Sequence, residues 1–435
     1  MKTTEHNLHT PHTETLPCGL RIVSAPSTGN VVYCGMAVNT GTRDEQAHES
    51  GMAHFCEHMT FKGTHNRRSW HILNRMECVG GDLNAYTGKE ETIYYSAFLK
   101  EHFGRAVDLL FDITLGSTYP QNEMNKEVEV VIDEIESYND SPSELIFDEF
   151  ENLIFNGHTL GRNILGEAEQ LRKLTSQDMQ NFALRTYRPR NMVFFVYGDV
   201  APEIVHKEAT RALKKVIESM PTELAVQKGL AEVYTPEAIT NQEFGRIAPT
   251  PYTPKDKVVH KNTHQAHVLI GTRCYGAKDP KHIRLYLLNN ILGGRSMNSR
   301  LNLSLREKNG LVYTVESNMT CYTDTGVWSI YFGCDKKDVS KCKSLVLKEL
   351  KKLIDAPLSE HALAAAKRQI KGQIGIANDN SESVGLTLAK TYLHYHKVRS
   401  IEELFRKIDA LTAAELHETA VELFAPEKLT TLIYK

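Results

Sequence analysis

The chain contains an internal repeat that limits the folds open to it. Residues 174–198, LTSQDMQNFALRTYRPRNMVFFVYG, align without gaps with residues 411–435, LTAAELHETAVELFAPEKLTTLIYK. Each copy has a threonine in the N-cap position, a helix of about three turns, a proline and then an apolar strand. Because each copy closes one half of the chain, the sequence predicts two similar halves.

The two halves also begin alike. Residues 30–45 (NVVYCGMAVNTGTRDE) and 265–280 (QAHVLIGTRCYGAKDP) each predict a strand, a turn and the start of a helix. Between the halves, residues 233–257 contain four prolines and little periodicity, which is typical of an ordered linker. Strands and helices come in blocks, so the predicted fold class is α+β, with domains at 13–232 and 258–435.

One short segment of the first half predicts a metal site. In ESGMAHFCEHMTFKGT, His54 and His58 are four residues apart, so a helix places both imidazoles on one face. Glu57 falls on the same side, where it can take a proton from a metal-activated water. The alternative is a solvated helix face whose histidines occur by chance. A third protein ligand would decide between the two interpretations, because a catalytic zinc site needs one.

An acidic segment further along the chain offers that third ligand. In KEVEVVIDEIE, residues 126–136, the apolar residues recur at helical spacing and mark a buried stripe. Glu127 and Glu134 are seven residues apart, so they lie two turns apart on a common face. Taken alone, the segment also fits an ordinary solvated acidic helix.

From about Thr15 to its C-terminus, the chain resembles the inverzincins, the family of pitrilysin, insulysin and mitochondrial processing peptidase. The resemblance rests on the H-x-x-E-H order followed by an E-x6-E pair on a second helix. It implies a Zn²⁺ ion held by two histidines and a glutamate, with Glu57 as the general base and Glu127 as a further acid near the metal. The implied zinc ligands are His54, His58 and Glu134.

Other segments extend the resemblance. REKNGLVY, residues 306–313, is similar to the family's Arg-x6-Tyr element and implies that Arg306 and Tyr313 stabilise the oxyanion. GGDLNAYTGKEETIYY, residues 80–95, looks like the family's edge-strand segment, to which a substrate adds as an extra strand. The predicted substrate-binding residues in it are Gly81, Asn84, Ala85 and Tyr86. The loop near Arg295 departs from many relatives, which have a third glycine there.

Composition excludes several other classes of protein. A net charge of −3 gives no bulk attraction for nucleic acid or anionic membrane, and no apolar run reaches the length of a membrane span. The eight cysteines form no C-x-x-C pair, which indicates reduced, mostly buried thiols. The polar N-terminal segment has no apolar stretch typical of a signal peptide, so we expect a cytoplasmic protein.

Together these features predict a zinc endopeptidase that cleaves unfolded peptides. The zinc motif occurs in the first half only, and the family's enzymes use four such domains. Two domains would therefore form half of a clamshell-like chamber, completed most simply as a homodimer. Two alternatives stay open: the catalytic subunit of a heterodimer, and a non-catalytic structural subunit.

Overall fold

A computed structural model describes residues 11–231, 246–398 and 400–435 of the chain. This part forms two compact units, each assembled from discontinuous segments. The first unit takes the described residues of 1–135, 164–246 and 377–399, and the second takes those of 136–163, 247–376 and 400–435. Within the described ranges, no helix combines the length and the apolar character that crossing a bilayer requires.

Eleven strands are present in the described residues. In chain order they are β1 (His12–Thr15), β2 (Arg21–Ala25), β3 (Val31–Val38), β4 (Asp82–Thr87), β5 (Thr92–Leu99), β6 (Met192–Tyr197), β7 (Asp256–Val259), β8 (Ala266–Tyr275), β9 (Val312–Cys321), β10 (Thr325–Cys334) and β11 (Thr430–Tyr434).

Helices alternate with these strands in blocks, which confirms the predicted α+β class. In chain order they are α1 (Met52–Thr60), α2 (Ser69–Glu77), α3 (Phe103–Gly116), α4 (Gln121–Asn139), α5 (Pro142–Phe155), α6 (Ala168–Leu171), α7 (Ser176–Thr186), α8 (Pro202–Ser219), α9 (Thr222–Gln227), α10 (His282–Gly293), α11 (Val339–Asp355), α12 (Glu360–Ala377), α13 (Ser381–Tyr395), α14 (Ile401–Ala410) and α15 (Ala413–Leu423).

The first unit is built on a sheet with the strand order β1-β2-β6-β3-β5-β4. Strand β6 lies inside it, parallel to β2 and antiparallel to β3. Its valines and phenylalanines are buried, as expected for a strand covered on both faces. Helix α3 packs there through Phe111, whose ring lies 5.1 Å from that of Phe194. Strand β4 ends the sheet and pairs with β5.

The second unit repeats this arrangement with the strand order β7-β11-β8-β10-β9. Strand β11 is parallel to β7 and antiparallel to β8, as β6 is to β2 and β3. Below the sheet, Trp328 of β10 packs on Phe424 with ring centres 4.4 Å apart. Apart from β1, which has no counterpart in the second sheet, the two sheets share one topology, which confirms the internal repeat.

The repeated helix ends are also alike in detail. Thr175 and Thr412 are N-caps whose hydroxyls accept hydrogen bonds from the backbone N–H groups of Asp178 and Glu415. Each acidic side chain accepts a hydrogen bond from the threonine N–H in return, which completes a capping box. The cap therefore fixes where each of the two helices begins.

The compact units depart from the two sequential domains that the sequence predicts at 13–232 and 258–435. Helix α5, from the first half of the chain, packs on β8 and β11, and α13, from the second half, packs on β6 and β3. Each sheet thus buries one face under a helix that is distant in sequence. Of the predicted linker, residues 233–245 lie outside the described residues, and the remainder leads into β7.

A partly buried ionic cluster links α13 to the β4–β5 turn within the first unit. Glu91, in the turn between β4 and β5, lies 3.0 Å from Lys390 Nζ and 3.3 Å from His394 Nε2. The Lys390 ammonium also lies 5.0 Å from the centre of the Tyr86 ring. Burial alone would raise the pKa of Glu91, but the hydrogen bond from His394 and the charge of Lys390 lower it to about 2.

We predict that this cluster makes stability depend on pH. The Glu91 carboxylate has a lower pKa in the folded chain than the ordinary 4.5, so it stabilises the fold above about pH 5 and loses that contribution as the pH falls towards 2. At about 1.4 kcal/mol per tenfold change in proton affinity, the difference between 4.5 and about 2 is on the order of 3 kcal/mol. Urea titrations at pH 7, 5 and 3 measure it.

Glu91→Gln should unfold more easily than wild type at pH 7 and should lose less stability between pH 5 and pH 3. Glu101→Gln, at an exposed position, is the matched control and should follow wild type. An acid response of Glu91→Gln equal to that of wild type would contradict the assignment.

Candidate metal centre

Helix α1 presents the two histidines and Glu57 from a buried position. It begins after Gly51, whose φ of 83° is in the left-handed region that favours glycine. The carboxylate of Glu45 caps this end by accepting hydrogen bonds from the N–H groups of Gly51 (3.2 Å) and Ala53 (2.9 Å). His54 and Glu57 are each less than a tenth exposed, whereas the side chain of Glu134 is 45% exposed. The site is therefore buried on the α1 side and open to solvent on the α4 side.

Helix α4 supplies the acids from the part of its length that belongs to the first unit. Glu134 Oε1 lies 3.8 Å from His54 Nε2, and Glu134 Oε2 lies 3.5 Å from His58 Nε2. Two helical turns before Glu134, Glu127 Oε1 accepts a hydrogen bond of 3.0 Å from His58 Nδ1. The other oxygen of Glu127 pairs with Lys62 Nζ at 2.6 Å.

Three possible metal-ligand groups therefore lie close together. One nitrogen or oxygen atom from each of His54, His58 and Glu134 lies within 4.8 Å of the other two. Nδ1 of His54 is buried and has no hydrogen-bond partner among the described residues. Two imidazoles and a carboxylate form the donor set of hydrolytic zinc sites.

The two histidines differ in protonation: the pKa of His54 is lowered, as suits a metal ligand, whereas that of His58 is raised, so a metal would have to displace a proton there. Burial, helped by the nearby His58 charge, lowers the pKa of His54 to about 3, so its imidazole is neutral at pH 7. Burial also opposes a charge on His58, but the hydrogen bond to Glu127 and the charges of Glu57 and the α4 acids outweigh it and raise the pKa. Because a carboxylate only accepts hydrogen bonds, His58 carries a proton on Nδ1, which leaves Nε2 as the nitrogen facing Glu134.

Glu57 is held in a different way from the other acids. Its Oε2 accepts a hydrogen bond of 2.6 Å from the hydroxyl of Thr87, at the end of β4. Burial raises the pKa of Glu57 above its ordinary value, and the negative charge of Glu134 acts in the same direction. A buried carboxylate with a raised pKa beside a candidate metal position has the properties of a general base.

Strand β4 is the edge strand that the sequence predicts. Gly80, with a φ of 72°, and Gly81 separate α2 from it. The hydrogen bond from the Gly88 N–H to the Glu91 carbonyl closes the β4–β5 turn. Along an antiparallel strand, every second residue directs its N–H and C=O groups to the neighbouring strand. Counted from Gly88, which bonds to Glu91, the peptide groups of Ala85 and Thr87 therefore point away from β5, to the open edge of the sheet.

The other predicted substrate-binding residues lie differently on β4. The peptide groups of Asn84 and Tyr86 face β5 in the same alternation, and the Tyr86 ring contacts Lys390. The Gly81 N–H is bonded to the Met76 carbonyl. A role of these residues in substrate binding stays a prediction, and the geometry favours Ala85 among them.

Arg306 and Tyr313 lie in the second unit. Arg306 is part of a π-helical turn, Asn302–Glu307, and Tyr313 is the second residue of β9. The guanidinium carbon of Arg306 lies 5.6 Å from the centre of the Tyr313 ring, and Tyr313 is 81% exposed. Their predicted role as oxyanion donors stays a prediction.

Three residues at the site were not found by sequence reasoning: Thr87, Lys62 and Glu45. Two of them carry a signal in hindsight. Lys62 is four residues after His58, which places it on the same side of the helix end. Thr87 is two residues after Ala85, so it shares a face of the strand with it. Glu45 has no such signal, because it reaches Gly51 and Ala53 from a preceding loop.

Two family models match the chain. Residues 21–168 match the model described as Insulinase (Peptidase family M16). Residues 173–370 match the one described as Peptidase M16 inactive domain. All three candidate metal ligands lie in the first match.

Relatives and solved structures agree with these matches. A Mycobacterium tuberculosis protein described as an uncharacterized zinc protease is 31% identical over 417 residues, covering 95% of this chain and 91% of the relative. A Bacillus subtilis protein with the same description is 29% identical, with 95% and 96% covered. The fold is similar to a crystal structure of a protease from Helicobacter pylori, with a TM-score of 0.84, 22% identity and coverage of 98% and 99%.

A second crystal structure, of a peptidase M16 inactive domain from Pseudomonas fluorescens, has a TM-score of 0.85 at 16% identity, with 98% of this chain and 97% of that chain covered. At these identities the two structures support the fold alone. The family follows from the sequence matches, which extend over most of the chain. The chain belongs to peptidase family M16, the pitrilysin-like family, in its short two-domain form.

Proposed function

We propose that this protein is a zinc-dependent endopeptidase that hydrolyses peptide bonds in unfolded peptides. The observation that supports it best is the convergence of His54, His58 and Glu134. Beside them lies a buried carboxylate, Glu57, which is not one of the three candidate metal ligands. This arrangement separates the groups that would hold a metal from the group that would move a proton, as hydrolysis requires.

The donor geometry fits Zn²⁺. Ligand atoms about 2.1 Å from a tetrahedral ion lie about 3.4 Å from one another. Glu134 Oε1 lies 3.8 Å from His54 Nε2, and Glu134 Oε2 lies 3.5 Å from His58 Nε2, both close to that value. One ligand atom from each of the three residues lies within 4.8 Å of the other two, so an ion would draw the donors somewhat closer together. When bound, zinc supplies Lewis acidity, which acidifies water and polarises a peptide carbonyl.

The chain's own residues divide the remaining work. Glu57 accepts the proton of the attacking water at Oε1, since Oε2 is held by Thr87. Glu127 fixes the ring of His58 through Nδ1, and Lys62 in turn fixes Glu127. Carboxylate–histidine pairs of this kind orient the ligand nitrogen towards the metal.

A substrate would bind by adding a strand to β4. Main-chain hydrogen bonds to the peptide groups of Ala85 and Thr87 demand an extended backbone and little sequence. Folded proteins offer few such segments, so the proposed substrates are unfolded peptides and small polypeptides.

The proposal includes assembly and location. Arg306 and Tyr313 would contribute donors to the oxyanion once two chains, most simply two copies, enclose the substrate in a chamber. A related second chain is the alternative partner. We propose a cytoplasmic enzyme, because reduced thiols fit that compartment: all eight cysteines are free, and six are buried.

The zinc ligands are tested by metal analysis. Purified wild type should contain about one zinc per chain. Glu134→Gln and His58→Ala should lose the ion on dialysis, because each removes one of three ligands. Glu136→Gln, an exposed acid two residues along the same helix, is the control and should keep it. Full zinc content in Glu134→Gln would remove Glu134 from the ligand set.

The base is tested by a variant that keeps shape but cannot take a proton. Glu57→Gln should retain zinc and lose on the order of a hundredfold or more in kcat, the scale of general-base catalysis. Glu77→Gln, at the exposed end of α2, should match wild type. Turnover of Glu57→Gln near the wild-type rate would show that another group takes the proton.

The chamber is tested with one peptide sequence presented in two forms. The free peptide should be cleaved, whereas the same sequence inside a stable folded domain should resist, because unfolding costs roughly 5–15 kcal/mol. Arg306→Ala and Tyr313→Phe should each lower kcat at least tenfold with zinc bound. Light scattering gives the mass of the active species, and full activity from a strict monomer contradicts the chamber.

A further inference from the structure

We propose that Thr87 is a positioning residue for the hydrolysis: from the end of the edge strand, its hydroxyl orients the carboxylate of the general base. The inference rests on the proposed function and adds a residue from outside both metal-binding helices. It makes β4 serve twice, as the strand that binds the substrate and as the support that aims Glu57.

The contact itself has the geometry of a strong hydrogen bond. Thr87 Oγ1 lies 2.6 Å from Glu57 Oε2, within the range of hydroxyl–carboxylate bonds. A threonine hydroxyl has one hydrogen to donate, and a carboxylate accepts, so the donor is Thr87. The bond fixes Oε2 of Glu57, which leaves Oε1 as the oxygen that accepts the proton.

The backbone around Thr87 is well anchored. Thr87 pairs with Thr92 across the sheet, and the next residue, Gly88, donates its N–H to the Glu91 carbonyl at 2.7 Å. The Gly88 carbonyl also accepts a hydrogen bond from the Thr42 N–H, on the loop that leads to α1. A β-branched side chain has few χ1 rotamers, so the anchored strand fixes the hydroxyl as well.

The placement links substrate binding to the base. The open-edge peptide groups of Ala85 and Thr87 would set the position of an added strand, while the side chain of Thr87 sets the position of Glu57. The positions of the substrate and of the base therefore depend on the same short part of β4, from Ala85 to Thr87. Without the bond from Thr87, the side chain of Glu57 would be held only by its place on α1.

A purely structural role for the Thr87 hydroxyl would alter stability but not the chemical step. The two roles differ in three measurable ways: the separate effects on kcat and KM, rescue by a residue that keeps the hydroxyl, and the conformation of Glu57. The experiment uses the full zinc-loaded chain and an unstructured fluorogenic peptide as probe.

The variants are Thr87→Val, which keeps the shape, Thr87→Ala, which is smaller, and Thr87→Ser, which keeps the hydroxyl. We expect the Val and Ala variants to lose at least tenfold in kcat, with KM within about twofold and full zinc content. The Ser variant should stay within about threefold of wild type. Thr92→Val is the matched control: it removes a hydroxyl from the opposite strand, bonded to the Thr40 carbonyl, and should keep the wild-type kcat.

A readout that does not depend on activity completes the test. In crystal structures of the zinc-bound variants, the Glu57 carboxylate should keep one orientation in wild type and Thr87→Ser. In Thr87→Val and Thr87→Ala it should rotate or occupy several positions. If the Val variant does not fold, the comparison of Ala with Ser decides the question.

Two outcomes overturn the inference by itself: a wild-type kcat in Thr87→Val or Thr87→Ala, or a Ser variant as slow as Ala. Either is meaningful when Glu57→Gln is slow. An inactive wild type, or a Glu57→Gln variant as fast as wild type, overturns the proposed function and this inference with it. The two failures are therefore distinguishable.

Discussion

The contact between helices α1 and α4 is the interaction on which the site depends. Glu127 bonds to His58 Nδ1, and Glu134, two turns later, lies beside the Nε2 atoms of both histidines. Seven residues on a helix span about 10 Å, so the two acids reach opposite sides of the same imidazole pair. Lys62 neutralises part of the negative charge that this arrangement concentrates. A small shift of either helix would separate the donors.

The internal repeat shows what distinguishes the two units. Both have one sheet topology and the same Thr-capped helix before the inner strand. Helix α10 follows β8 as α1 follows β3, but its sequence, HIRLYLLNNILG, has a single histidine and no glutamate. Its Asn289 Oδ1 accepts hydrogen bonds from Ser317 (2.5 Å) and Trp328 (3.1 Å). Asn289 thus serves packing in the second unit, and the three candidate metal donors found among the described residues lie in the first.

Local patterns in the sequence predicted much of this structure. Helical spacing placed His54 and His58 on one face, and the capping threonines marked where two helices begin. The exchange of α5 and α13 between the halves was not predictable, because it depends on which sheet face each helix buries. The contact of Thr87 with Glu57 was likewise hidden, since it joins residues on a strand and a helix. The side of β4 on which Tyr86 lies follows from strand register, which the sequence did not specify.

The central claim is that one ion binds between His54, His58 and Glu134. Diffraction data collected just above and just below the zinc absorption edge, from crystals of the purified chain, test it directly. The account predicts one strong anomalous peak per chain within about 2.3 Å of a donor atom of each of the three residues, present only above the edge. A fully occupied zinc peak elsewhere, or no peak at this position in zinc-supplemented crystals, would contradict it.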